Sequence, residues 1–315
     1  MGYDTSNILP KETKEKDVKE FLKLLGYYGQ GSVYAFYKDE DYKFFEGVVL
    51  FITREDNNIN NPLQIDTHTS IWSSDYDIDF QNYTVNHLKK EFGGTFITDF
   101  GKSRYLKVHK PKRFGAQNGC YFAFFRLHNQ FVEAKMLLSK IEENEWGKDN
   151  YGLNINHVSL ATNIITTYIS SIIENYFRDI YVALLKYSDK KDKVFKNAKI
   201  TSDDMLDICS GKINMEQAIA YSKSFQNIHK IHANFKELAP KIDIYGTLSK
   251  PFHRRKETLF QTVNRVLEHR HGVVHRLELD IKYDKDSALK DIDSVNKSLE
   301  LIYYHICEIY NWESR

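Results

Sequence analysis

The chain has 315 residues, of which 42% are hydrophobic and 28% charged, and its formal net charge is +1. This composition is typical of a globular protein and excludes a disordered or fibrous chain. Because the net charge is close to zero, bulk attraction to nucleic acid is excluded, so a nucleic-acid partner would need a local basic patch.

The three cysteines, Cys120, Cys209 and Cys307, are odd in number and lie far apart in the sequence. This spacing predicts neither a disulfide framework nor a thiolate zinc site. The N-terminal residues lack the apolar run of a signal peptide, and no stretch approaches the ~20 apolar residues of a membrane span. We therefore expect a cytoplasmic protein that binds no membrane, no metal and no cofactor.

The first part of the chain mixes helix and strand patterns. Charged and apolar residues alternate at helical spacing over 11–25, and Gly26 would end that helix. A second helix is predicted over 82–92 and a third over 117–143. Short β-branched and aromatic segments predict strands at 33–37, 44–53, 95–98 and 104–108. We therefore predict an α+β domain over 1–146, of unknown family, with a sensory or regulatory role.

The second part of the chain shows only helical patterns. The polar segment 142–153 contains two glycines and predicts a domain boundary. Apolar pairs recur every four residues over 157–187, so the apolar stripe drifts around the helix and predicts a central core helix. Further helical patterns lie near 203–236, at 257–275 and at 289–309. The prediction is an all-α domain of four or five helices over 154–315.

The stretch LEHRHGVVHR, residues 267–276, concentrates chemically active side chains. His271 and His275 are four residues apart and should share one helix face, whereas Arg270 and His275 would lie about 140° apart. A joint role for Arg270 and His275 would need a helix that loosens at Gly272, or a second copy of the motif across a dimer interface.

Two imidazoles beside a guanidinium have the chemistry that cleaves RNA without a metal. One histidine can take the proton of the ribose 2′-hydroxyl, a second can protonate the departing 5′-oxygen, and an arginine can bind the phosphate. Seven Lys or Arg stand against two acids between Lys250 and Arg276. The residues predicted to bind RNA are Arg254, Arg255, Lys256 and Arg276. Spacing alone favours ordinary, partly buried helix histidines bonded to the backbone, with Arg270 on a solvated face.

The segment VNRVLEHRHGVVHR resembles the signature of the HEPN superfamily, an arginine, a polar residue and, after four to six intervening positions, a histidine. Arg270, His271 and His275 match it. The upstream helix is similar to the early helix of that family, and its Glu174 and Arg178, one turn apart, are expected to support the site. An ordinary i,i+4 ion pair is the alternative for these two.

The resemblance implies a HEPN-like helical bundle that dimerises and joins two copies of the motif in one cleft. It implies a metal-independent endoribonuclease, a toxic effector in anti-phage defence or a toxin–antitoxin system, with RNA as substrate and an antitoxin or a phage-derived trigger as partner. Leu277 stands where members silenced by nucleotidyltransferases have a tyrosine, so that control is not expected. The alternative is a non-catalytic HEPN-like module that dimerises and binds a ligand or a protein, which burial of His275 away from any cleft would favour.

Overall fold

A computed structural model describes residues 2–38, 41–54, 61–110, 112–113, 115–141, 157–250, 257–280 and 282–314. The chain divides into two compact units, Met1–Phe114 and Gly115–Arg315. The first unit combines a sheet with helices, and the second is helical. The predicted order, an α+β part followed by an all-α part, is therefore confirmed. No described helix is long and apolar enough to cross a membrane.

In the first unit, the described strands form one antiparallel sheet in the order β2-β3-β4-β5-β1-β6-β7. The strands are β1 Gly2–Ile8, β2 Tyr28–Gln30, β3 Val33–Phe36, β4 Val48–Arg54, β5 Leu63–Ser70, β6 Thr95–Thr98 and β7 Gly101–Lys102. Helices α1, Glu15–Leu24, and α2, Asp75–Phe92, contribute Val18, Leu22 and Leu88 to a core that also includes Leu50 and Ile65 of the sheet. Burying these side chains between sheet and helices is the main stabilising contribution to the unit.

Both predicted helices of this region are confirmed, and α2 begins earlier than predicted. It starts after Ser74, whose hydroxyl accepts the amide N–H of Asp77 at 3.1 Å, while the Asp77 carboxylate accepts the amide N–H of Ser74 at 2.7 Å. This reciprocal capping satisfies two amides that have no partner inside the helix. The helix ends at Gly93, whose φ of 81° favours glycine.

Four of the described strands, β1, β2, β5 and β7, were not predicted. Of these, β1 and β5 are neighbours inside the sheet. Their inward-facing positions are largely polar. Gln81 of α2 donates to the carbonyl oxygens of Tyr3 and Thr67, each at 3.0 Å, and accepts the Thr69 hydroxyl at 2.8 Å. Since these polar side chains occupy buried positions, the apolar alternation that predicts strands is missing. The predicted strand at 104–108 is wrong, because those residues are outside any strand.

The helices of the second unit are α3 Gly115–Lys140, α4 His157–Lys186, α5 Lys191–Asn197, α6 Ser202–Cys209, α7 Met215–Ser222, α8 Ile228–Leu238, α9 Ile244–Ser249, α10 Leu259–Arg276 and α11 Lys285–Tyr310. Helix α3, which the sequence analysis assigned to the first domain, packs on α4 and α11. Phe124 of α3 stacks on Tyr303 at 4.1 Å, and Arg126 pairs with Asp179 at 2.9 Å. The unit therefore begins at 115, and the predicted boundary at 142–153 lies wholly outside the described residues.

Helix α4 is the central helix, as predicted. Within the described residues it contacts α3, α7, α8, α10 and α11. Ile169, Ile173 and Phe177 are fully buried, and from Ile180 onward most of its circumference is covered. The expectation of four or five helices after residue 154 is wrong, since the described part contains eight. The described residues 187–250 form five short helices, and their capping polar residues interrupt the apolar period that a longer helix would show.

Candidate functional site

The predicted motif lies at the C-terminal end of α10. This helix starts with a capping box between Thr258 and Gln261 and stays α-helical through Gly272 to Arg276. It ends at Leu277, whose left-handed φ of 54° lets the amide N–H of Glu278 donate to the carbonyl oxygen of Gly272 at 3.2 Å. The helix does not loosen at Gly272, so of the two arrangements considered for a joint role of Arg270 and His275 only the second copy of the motif is left.

His271 and His275 form a ring pair on the exposed surface of α10. Their ring centroids are 4.6 Å apart and their planes are inclined by 50°. Both residues are exposed. The expectation that they share one helix face is confirmed, and the burial of His275 that would have favoured a purely binding module is not observed.

Arg270 points to a different side of the helix. A regular helix places it about 140° from His275, and the residue is half-buried. Its Nε is buried and has no hydrogen-bond partner in the described residues. One chain thus brings the two imidazoles together but does not place the guanidinium on the same face as His275.

A cavity of about 490 Å³ lies on the His271 side of the helix. Its wall combines the last turns of α10 and the segment after it with the start of α8 and the segment before it. The lining residues are Ser224, Gln226, Asn227, Lys230, Asn264, Leu267, Glu268, His271, Gly272, Arg276 and Glu278. Lys230, Arg276 and His271 supply cationic or protonatable groups, while Glu268 and Glu278 oppose them. Of the predicted catalytic residues, only His271 is among the described residues that line this cavity.

Three of the predicted RNA-binding residues, Arg254, Arg255 and Lys256, lie outside the described residues. The fourth, Arg276, is exposed and forms a 3.6 Å ion pair with Glu278. Because this pair is open to water, it restrains Arg276 weakly and leaves the guanidinium accessible to a phosphate.

Glu174 and Arg178 of α4, which were expected to support the site, do not form the i,i+4 ion pair that was the alternative for them. Arg178 donates to Asn175 Oδ1 at 2.9 Å, and its guanidinium lies 5.3 Å from the Tyr221 ring and 5.9 Å from the Phe225 ring. Phe225 is the chain neighbour of Ser224 and Gln226, which line the cavity. Arg178 therefore supports that wall from the inside, and it does not contact the motif.

His269, which was not among the predicted site residues, anchors α10. Its Nε2–H donates to Asn163 Oδ1 at 2.8 Å, and its ring meets Tyr283 edge to face at 4.7 Å. Asn163 is fully buried and uses its whole amide, since Nδ2 donates to Ser159 and Asp280 and Oδ1 also accepts the amide N–H of Asp280. Val263, Val266 and Val273 lie on one apolar helix face that repeats every three or four residues, and position 269 or 270 belongs to the same face. This spacing could have predicted that His269 faces inward.

Arg265 was counted toward the predicted basic patch, but carboxylates balance its charge. It donates two hydrogen bonds to the buried Asp291, at 2.8 and 2.7 Å, and longer ones to Glu257. The hydrogen bonds to Asp291, followed by those to Glu257, raise the pKa of Arg265 above its usual range. Arg265 therefore fixes α10 to α11 and adds little to the field around the motif.

No group of three or more His, Cys, Asp or Glu suited to a metal is present in the described residues. Comparison of the chain with protein-family models, curated proteins and solved structures gives no match. The resemblance of residues 267–276 to the HEPN superfamily therefore stays a prediction.

Acidification is expected to destabilise the second unit partly through His269. Burial lowers the pKa of His269 below its ordinary value of 6.5, against the opposing effect of Asp280 and Asp291. The unfolded chain then binds the proton before the folded chain does, so the free energy of unfolding falls as the pH drops through and below about 6.5. Urea unfolding at about pH 7.5 and about pH 5.5 measures this loss.

The His269→Gln variant isolates this contribution, because glutamine does not titrate. Burial also lowers the pKa of His128, His232 and His305. The variant should therefore lose less stability on acidification than the wild type while keeping some pH dependence. An equal loss in both proteins would show that protonation of His269 does not contribute.

Proposed function

We propose that the chain is a metal-independent endoribonuclease of the HEPN type. The observation that supports this best is the exposed pair of His271 and His275 rings, 4.6 Å apart, at the end of a helix that also bears Arg270. Neutral imidazole can accept a proton and imidazolium can donate one near neutral pH. The guanidinium of an arginine carries several planar, charge-assisted donors that suit a phosphate.

The proposed reaction is attack of the ribose 2′-oxygen on the adjacent phosphorus. A histidine takes the 2′-hydroxyl proton, the O2′–P bond forms and the P–O5′ bond breaks. A second, protonated histidine gives its proton to O5′, and Arg270 stabilises the charge that accumulates on the phosphate oxygens. The products are a 2′,3′-cyclic phosphate and a 5′-hydroxyl. His275 is the proposed base or acid, and His271 orients groups or shares the proton transfer.

The geometry of the ring pair favours a site shared by two chains. In an in-line displacement the attacking and leaving oxygens lie on opposite sides of phosphorus. Rings whose centroids are 4.6 Å apart leave no room for a phosphate between them, so both approach it from one side. Because α10 stays regular through Gly272, we propose that a second copy of the motif supplies the proton-transfer group on the other side of the phosphorus.

Exposed apolar side chains near the motif also support a dimer. Val274, Leu277 and Leu279 are 42%, 84% and 44% exposed. Ile164, which is 55% exposed, follows Asn163, the residue bonded to Asp280. An exposed apolar patch of this kind is typical of an interaction surface. We propose that this surface, in the helical unit, is the dimer interface.

The biological role follows from the resemblance alone. A ribonuclease that acts on cellular RNA in the cytoplasm would be a toxic effector in anti-phage defence or a toxin–antitoxin system. The α+β unit would then control it by responding to an antitoxin or a phage-derived trigger.

A non-catalytic dimerising and ligand-binding module is the second candidate function. It is favoured by one observation: of Arg270, His271 and His275, only His271 lines the cavity of about 490 Å³. A small polar ligand in that cavity would contact His271, Lys230 and Arg276 without any chemical step.

Cleavage of a fluorescently labelled RNA in EDTA tests the proposal. His275→Ala is expected to lower the rate about a hundredfold or more, and His271→Ala to lower it less, since proton transfer by a positioned side chain contributes about 10²–10⁴-fold. His87→Ala is the matched control. It removes another helix histidine in ring contact, 3.8 Å from Tyr83, that belongs to the first unit, and it should leave the rate unchanged.

The chemistry of the products provides a second readout, because the proposed reaction leaves a 2′,3′-cyclic phosphate and a 5′-hydroxyl. Equal cleavage by all variants would reveal a contaminating nuclease. No cleavage by folded wild-type protein would reject the enzymatic proposal in favour of the binding module.

A further inference from the structure

The C-terminal end of α4 and the helix that follows it bear a concentration of lysines. Residues 186–199 include six lysines and two aspartates, a net charge of +4 in a chain whose total is +1. Lys191 forms an ion pair with Glu216, which balances its charge. The other five, here called the lysine patch, are Lys186, Lys190, Lys193, Lys196 and Lys199.

Most of the lysine patch has no acidic partner. Lys190, Lys193, Lys196 and Lys199 form no ion pair in the part of the chain that the structure describes, and the last three are exposed. On α1, by contrast, Lys16 and Lys19 pair with Glu20 and Glu15. The patch therefore creates a local positive field that the rest of the surface does not cancel.

Aromatic rings lie at the same end of the helical unit. Tyr187 is 44% exposed and packs beside Gly115, the first residue of α3. Two residues further along α3, Gln117 donates to the carbonyl oxygen of Glu313 at 3.1 Å. This bond brings the C-terminal segment to the same end, where Tyr310 and Trp312 stack with centroids 4.7 Å apart and planes 17° apart. Tyr310 is 39% exposed.

We infer that this end of the helical unit binds single-stranded RNA, with the lysine patch contacting phosphates and the Tyr187 and Tyr310 rings stacking on bases. The choice of RNA as the ligand rests on the proposed function. Lysines beside exposed aromatic rings are the usual combination for binding single strands without sequence preference. An anionic membrane fits less well, because Val194 of α5 is buried and Lys191 covers the Phe195 ring at 5.2 Å, so α5 has little apolar surface to insert.

The RNA-binding end lies far from the motif. Helices α4 and α10 are antiparallel, because Asn163 bonds to His269 while Ser170, seven residues later, bonds to Val266. Lys186 is 23 residues beyond Asn163, which is about 35 Å along a helix. His275 lies further in the opposite direction. An RNA must therefore extend over more than about ten stacked nucleotides, at roughly 3.4 Å each, to contact both places.

Binding of an uncleavable RNA tests the inference apart from catalysis. The probe is a labelled single strand of about 20 nucleotides with 2′-O-methyl groups, which has no 2′-hydroxyl to react. Combining Lys193→Ala, Lys196→Ala and Lys199→Ala should raise Kd about tenfold or more at low salt. It should also reduce the slope of log K against log salt by about 2, since each phosphate contact contributes about 0.7. Tyr187→Ala should weaken binding without changing the slope.

The matched control combines Lys14→Ala, Lys16→Ala and Lys23→Ala at and around α1, which removes the same charge from another surface helix. It should leave Kd close to the wild-type value. Wild-type affinity and slope in the patch variant would overturn the inference. The inference would also be overturned if the patch variant lost binding to phosphatidylserine vesicles but kept wild-type binding to RNA.

The two proposals can fail separately. If the wild-type protein cleaves RNA and the patch variant binds RNA normally, only the RNA-binding role of the lysine patch is overturned. If the protein cleaves no RNA but the patch variant loses RNA binding, the RNA-binding role of the lysine patch is supported and the nuclease is rejected.

Discussion

Arg270→Ala is expected to lower RNA cleavage about a thousandfold while leaving the fold intact. Removing one preorganised donor from a developing anion typically costs about 10²–10³ in rate, and here both the charge and the planar donor group are lost. The stability should change little, because the buried Nε has no hydrogen-bond partner in the described residues. Arg270→Lys keeps the charge without the planar donors, so its cleavage rate should lie between those of the wild type and Arg270→Ala. Single-turnover cleavage with saturating enzyme measures the effect on the chemical step.

Arg126→Ala is a suitable control for Arg270→Ala. Arg126 is a helix arginine of the same unit that pairs with Asp179 at 2.9 Å and lies on the Phe122 ring at 4.4 Å. Its removal should lower stability slightly without affecting the chemical step. If Arg270→Ala cleaved RNA as fast as Arg126→Ala, then Arg270 would have no contact with the reacting phosphate.

The fold could be predicted where apolar side chains recur at a regular interval. Helices α2, α3, α4 and α11 were found in this way, and the drifting stripe of α4 correctly indicated a helix covered on most sides. Strands β1 and β5 were missed because Thr67, Thr69 and Asn7 occupy buried positions, where they hydrogen-bond to α2. The Thr67 hydroxyl accepts from Gln81 Nε2, the Thr69 hydroxyl donates to Gln81 Oε1, and Asn7 Nδ2 donates to the carbonyl oxygen of Val85. Such partners cannot be read from a local pattern.

The division into two compact units after residue 114 could not be predicted for a related reason. A polar segment with two glycines is typical of a linker, but the contacts of α3 with α4 and α11 decide which unit α3 joins. Those contacts connect residues that are far apart in the sequence. Phe124 stacks on Tyr303, for example, and nothing local to either residue indicates this pairing.

The candidate site was predictable only in its local part. The ring pair of His271 and His275 follows from their spacing of four residues. The interval of five between Arg270 and His275 indicated correctly that a regular helix would separate them. The sequence could not show that His269 binds Asn163, or that Asp291 balances Arg265, since both contacts join different helices.

Asp291→Ala is expected to lower the free energy of unfolding of the second unit by about 1.5–3 kcal/mol, because it removes a buried carboxylate that accepts charge-assisted hydrogen bonds from the partly exposed Arg265. Asp291 is only 5% exposed, accepts two hydrogen bonds from Arg265 and accepts the Tyr283 hydroxyl at 2.9 Å. After the substitution, Arg265 keeps only Glu257, and the buried Tyr283 hydroxyl loses its acceptor. Urea unfolding followed by circular dichroism measures the change.

Asp293→Ala is the matched control. Asp293 lies two residues further along α11, forms an ion pair with Lys135 at 2.6 Å and has a side chain that is 61% exposed. An exposed pair contributes about 0–1 kcal/mol, so this variant should remain close to the wild type. Combining Arg265→Leu with Asp291→Leu should recover part of the loss, because no buried charge is then left unpaired. Equal destabilisation by Asp291→Ala and Asp293→Ala would show that the Arg265–Asp291 pair does not hold α10, and with it the motif, against α11.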